Sequence, residues 1–145
     1  MISAVIAASL LLGQHQHRPG HSFEDIDRWV AEFESPERDR QQKPDEVVAA
    51  LKLRSSDRIA DIGAGTGYFS RRFAKTAGEG TVYAVDLEPN MLRYVAKRAR
   101  AEGQKNVVPV LALPDNPMLP RASVDVHLQH HSSHREPRGL LPAPA

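Results

Sequence analysis

Apolar positions change their period along this chain, and the changes divide it into elements. Phe23, Ile26, Trp29, Val30 and Phe33 recur three and four apart, the single stripe of a helix. Ser22 stands where a cap is needed, Glu24 and Asp25 fill the first turn, and Ser35-Pro36 closes the helix. In KPDEVVAALKL, Pro44 opens another helix, with acids in its first turn and Val47, Val48 and Leu51 on one side. From Arg58 the pattern shortens. RIADIG is an apolar strand run ending in glycine, and GYFSRRFAKTAG continues as a helix with Phe69 and Phe73 inward. TVYAVDL is a second, β-branched strand, and NMLRYVAKRARAEG is a helix closed by Gly103. VVPVLAL is a third strand run, in which Pro109 predicts an edge, and SVDV opens a fourth. The order β-α-β-α-β-loop-β predicts an α/β fold, a parallel sheet with helices on its faces.

The two ends of the chain lack such a period. Residues 1–22 hold an apolar run, MISAVIAASLLLG, and a His-containing linker. The run is too short to span a bilayer as a helix, so no stable membrane span is expected. It has the length of a signal-peptide core but lacks a positive leader, leaving export and a cytoplasmic location both open. Residues 23–126 form the expected domain. Residues 127–145, HLQHHSSHREPRGLLPAPA, follow neither period and are expected to be disordered. His127, His130, His131 and His134 there do not read as a metal site, since prolines oppose a shared helix and no carboxylate second shell accompanies them.

Composition narrows the chemistry. The 145 residues make one small domain, 41% hydrophobic and 26% charged. Nineteen basic and eighteen acidic side chains leave a charge of +1, without the basic field that nucleic acid requires. The absence of cysteine excludes disulfides, thiolate metal sites and a cysteine nucleophile.

The chemistry concentrates in Asp61-Ile62-Gly63-Ala64-Gly65-Thr66-Gly67, between a strand and a helix. Alternating glycines allow a tight turn and let a ligand lie on main-chain N–H groups. Asp86 ends the next strand, where a carboxylate can accept from both hydroxyls of a ribose. This spacing also fits a nicotinamide cofactor, but the dinucleotide fingerprint is GxGxxG and the turn here is GxGxG. An acid two residues before the first glycine suits a cofactor with a positive centre and no pyrophosphate.

On these residues the chain resembles the class I, Rossmann-like methyltransferases that use S-adenosyl-L-methionine (SAM). ADIGAGTGYFS resembles their motif I, and VYAVDLEPNML their motif II with its following helix. The resemblance implies the N-terminal half of a doubly wound parallel sheet, with N-terminal helices covering it. It implies that Gly63, Gly65 and Gly67 cradle the methionine moiety, with Ala64 also at the cofactor, that Asp86 holds the ribose, and that Leu87 packs on adenine. Asp61 would lie beneath the cofactor. Asp115 is a candidate for the adenine amino group, weighed against a solvated-loop role. The implied reaction is methyl transfer from SAM to an acceptor that the sequence does not name, and no catalytic residue follows from the motifs. A non-catalytic SAM-binding remnant or pseudogene product and a nicotinamide-dependent oxidoreductase are the alternatives. Because the pattern breaks after about residue 126, a frameshift near Val126 is expected. It would leave the first strand without its neighbour on the fourth-strand side and remove the substrate half.

Overall fold

The structure is a computed structural model that describes residues 25–130. The N-terminal apolar run, Ser22, Phe23 and Glu24, and the tail beyond His130 with His131 and His134, lie outside the described residues.

Three short helices come first: α1 (Ile26–Phe33), α2 (Pro36–Gln42) and α3 (Pro44–Ala50). Asp25, expected in the first turn of α1, is its cap, accepting from the Arg28 N–H at 3.1 Å. Ser35-Pro36 ends α1 and also starts α2. The Ser35 hydroxyl accepts from the Arg38 N–H, and Pro36 takes the first position, where no donor is needed. Lys43 then reverses the chain in a left-handed conformation (φ 44°) and leads into α3.

Four strands follow: β1 (Arg58–Ile62), β2 (Thr81–Asp86), β3 (Val107–Leu111) and β4 (Val126–Gln129). α4 (Ser70–Thr76) connects β1 to β2, and α5 (Pro89–Ala101) connects β2 to β3. The sheet is parallel throughout, in the order β3-β2-β1-β4. β3, which carries Pro109, forms one edge, as its proline predicts.

β4 corrects the expectation that β1 would lack a neighbour on that side. It runs through His127, Leu128 and Gln129, residues assigned to the tail, and pairs with β1 from Ile59↔Val126 to Ile62↔Gln129. The pairing is anchored at its start, where Asp125 accepts from the Arg58 N–H at 2.9 Å and from its guanidinium. Leu128 is fully buried, so the strand is held by packing as well as by its ladder.

The core lies mainly on one face of the sheet. Ile59, Val82 and Leu128 pack there against Phe69, Phe73, Ala74 and Ala77 of the α4 region, with Val47, Val48 and Leu51 from the α3 region. α5 continues this face, setting Val95 against Ala84. On the other face Ala60, Ile62 and Val85 meet Leu119 and Val124 from the loop between β3 and β4. Strand order reverses direction across β1, with β2 on one side and β4 on the other. The carboxyl ends of β1 and β4 therefore border the crevice where ligands of open α/β sheets bind.

Candidate functional site

The glycine loop sits at that carboxyl edge. The Gly63 and Ala64 N–H groups both donate to the Val85 carbonyl, at 2.8 and 3.0 Å, which pins the start of the loop to β2. Gly63, Gly65 and Gly67 have φ of +79°, +55° and +78°, a region that L side chains rarely adopt. At Gly67 a Cβ would also lie 3.1 Å from Val95 Cγ2 on α5. The turn is thus both left-handed and close-packed.

Asp86 closes the loop from the neighbouring strand. One carboxylate oxygen accepts from the Gly65 N–H at 2.7 Å, the other from the Glu88 N–H at 2.9 Å. The Leu87 N–H also contributes, and since an ionised carboxylate offers about four acceptor positions, some capacity remains beyond these three donors. Burial pushes the Asp86 carboxyl above its usual range, while these backbone N–H groups pull it back. Leu87, next in the chain, is half exposed and free to pack on a flat ring. The Asp86 carbonyl accepts from the Ala112 N–H, after which the chain turns between Leu113 and Asn116. Asp115 stands exposed in that turn. The structure therefore gathers Asp61, Gly63, Ala64, Gly65, Gly67, Asp86 and Leu87 at one edge, with Asp115 farther along the rim.

Asp61 is fully buried below the loop. A charge there must be matched, and it is: Ser70 Oγ donates to one oxygen at 2.5 Å, and His130 Nε2 lies 2.9 Å from the other. His130 follows β4, its N–H donating to the Ile62 carbonyl at 3.0 Å. Its ring stacks on Phe69 with centroids 5.3 Å apart, and its Cβ is 3.5 Å from where a Gly63 Cβ would be.

The helices before the sheet reach this edge too. Phe33 lies 3.5 Å from the position of a Gly65 Cβ, so α1 covers the loop. Trp29 packs on Phe33, and the Arg38 guanidinium lies over the rings of Phe33 and Tyr68, at 5.2 and 4.7 Å from their centroids. Burial lowers the Arg38 pKa, opposed by attraction to Tyr68 and Asp61. Sequence reasoning missed His130, Ser70 and Arg38. Ser70 closes the ADIGAGTGYFS run and carried no signal of its own, whereas the capping pattern Ser35-Pro36-Glu37 could have placed Arg38 on a helix. Among the described residues no group of three His, Cys, Asp or Glu is arranged to hold a metal ion. No described helix is long and apolar enough to cross a membrane.

A family model described as a methyltransferase domain matches residues 59–141, more than half of the chain. The chain belongs to that family. The match starts in β1, takes in the glycine loop and Asp86, and runs past Val126. The methyltransferase domain is 29% identical over 96 residues to protein-L-isoaspartate O-methyltransferase of Ignicoccus hospitalis, covering 66% of this chain and 46% of that protein. Among solved structures it resembles a SAM-dependent methyltransferase from Aquifex aeolicus, with TM-score 0.63 and 26% identity, over 68% of this chain and 54% of that one. It also resembles TYW2 of M. jannaschii in complex with AdoMet, with TM-score 0.50 and 25% identity, over 59% and 38% of the two chains. The chain thus spans about half the length of the isoaspartate and Aquifex proteins.

Proposed function

We propose that this methyltransferase domain binds SAM and transfers its methyl group to an acceptor nucleophile. The observation that carries the reading is the clamp between Asp86 and the Gly65 N–H. It holds a partly buried carboxylate with acceptor capacity to spare beside a left-handed glycine loop, as suits the hydroxyls of a ribose. The residues fit the cofactor elsewhere too. Gly63, Ala64, Gly65 and Gly67 offer a surface without long side chains to its methionine moiety, and Leu87 offers an apolar face to adenine. Asp115 is the candidate for the adenine amino group. The Thr66 hydroxyl, buried without a partner among the described residues, is a further group available to a ligand. Two acids at the site, Asp61 and Asp86, favour a cationic centre. Tyr68 occupies the place of the third dinucleotide glycine and is buried against Phe69, which disfavours a nicotinamide cofactor.

When bound, SAM supplies a methyl group activated by a sulfonium, open to in-line displacement. The chain's part is to align the acceptor, exclude water and take up the proton that the acceptor loses. Calorimetry on the full chain with S-adenosylhomocysteine, SAM and NAD tests the reading. Binding of the first two in preference to NAD is expected, and tighter binding of NAD would overturn it. Binding without methyl transfer would identify a non-catalytic SAM-binding domain.

A further inference from the structure

We propose that His130 is the base on the acceptor side of the site, so that the domain methylates an oxygen, nitrogen or sulfur that still carries a proton. This rests on the SAM-dependent reading above. The argument begins with the two ring nitrogens. Nε2 lies 2.9 Å from Asp61 Oδ1, and a carboxylate can only accept, so Nε2 carries the hydrogen. That leaves the lone pair on Nδ1, which is buried and has no partner among the described residues. A buried acceptor without a partner is uncommon in a folded chain and calls for a ligand group to fill it. The ring is held in one orientation by Asp61 on one side and by the stack on Phe69.

Position then gives the nitrogen a task. His130 stands at the carboxyl end of β4, beside Gly63 and directly across the strand-order reversal from β2. Asp86 lies on the β2 side of β1 and His130 on the β4 side, so a ligand resting on the glycine loop lies between them. As the acceptor heteroatom bonds to the methyl carbon and the carbon–sulfur bond breaks, the acceptor's proton passes to Nδ1. The products are the methylated acceptor, the neutral thioether and an imidazolium whose Nε2–H remains on Asp61. Asp61 acts through the ring and is a positioning residue.

The first test reads the ring directly. ¹⁵N NMR of the full chain with S-adenosylhomocysteine is expected to show His130 with Nε2 protonated and Nδ1 bare, the signals being assigned by their loss in His130→Gln. In Asp61→Asn the same signals should show a mixture of tautomers. A wild-type ring protonated on Nδ1 alone would overturn the proposal. The second test uses small phenol, amine and thiol acceptors. His130→Ala should lose about 100-fold in transfer, the scale of general-base catalysis, with S-adenosylhomocysteine affinity retained. Added imidazole should restore part of the loss. Undiminished transfer by His130→Ala would refute the role of the base. Failure of the wild-type chain to bind S-adenosylhomocysteine would instead refute the SAM reading.

Discussion

Replacing Asp86 by Asn separates binding from stability at this site. The carboxylate accepts from the Gly65 and Glu88 N–H groups through different oxygens. Asn keeps one oxygen and turns an NH₂ toward the other donor, so one backbone bond is lost, a cost of about 1–3 kcal/mol if that donor stays buried. The charge is removed as well, and here the direction of the Asp86 pKa decides. Burial raises it despite the backbone donors, so the charged form is net unfavourable in the fold. An acid with a raised folded pKa adds stability below its unfolded value near 3.8, and loses it as pH rises through the folded value. Asp86→Asn should therefore flatten that fall. At neutral pH the two effects oppose, leaving a net change within about 1 kcal/mol, or a few degrees in Tm. Ligand binding has no such offset. Losing one charge-assisted ribose hydrogen bond of about 1.5–3 kcal/mol weakens affinity about 10- to 150-fold. Calorimetry with S-adenosylhomocysteine, beside thermal melts at several pH values, measures both. A folded variant binding within about twofold of wild type would show that Asp86 does not hold the ligand.

Three further substitutions probe the same frame. Gly67→Ala forces a side chain into φ +78° with its Cβ 3.1 Å from Val95 Cγ2, and should destabilise the domain by about 1–3 kcal/mol in denaturant melts. Gly65→Val, at φ +55°, places a branched side chain between Phe33 and the loop, and should abolish S-adenosylhomocysteine binding in calorimetry. The Arg58 guanidinium and N–H hold the Asp125 carboxyl down to about 2. The stability this lends is present above the ordinary value near 3.8 and disappears as pH falls toward 2. Asp125→Asn should flatten the acid limb of a melting profile, modestly because the pair is solvent-screened.

Sequence pattern located the sheet and the loop but not the groups around them, for physical reasons. β1, β2 and α5 were legible because burial on the sheet's faces leaves apolar runs and glycine punctuation. α2 was not, because PERDRQQ has no apolar stripe, and the cap at Ser35 is its one local signature. β4 was read as far as its opening. VHLQ is short and half polar, and its place beside β1 is set by the Asp125 anchor and the burial of Leu128. His130 was invisible for the same reason: a histidine among histidines acquires meaning only when a strand carries it to Asp61.

The two acids at the ends of β1 and β2, Asp61 and Asp86, differ in what they leave free. Asp61 is fully buried, with Ser70 on one oxygen and His130 on the other. Burial seals its remaining lone pairs, so a ligand reaches it only by displacing Ser70 or His130, which would leave a buried polar group unmatched at a cost of about 1–3 kcal/mol. Asp86 is held by backbone N–H groups, which cannot turn away, and it keeps lone pairs for a partner. Backbone donors thus hold the partly exposed acid, while side chains hold the buried one. In the proposed mechanism Asp86 recognises the ligand, and Asp61 acts at one remove by orienting His130. In that mechanism the path from Asp61 through His130 Nε2 to the bare Nδ1 is the route by which a carboxylate sealed below the sheet edge influences chemistry above it.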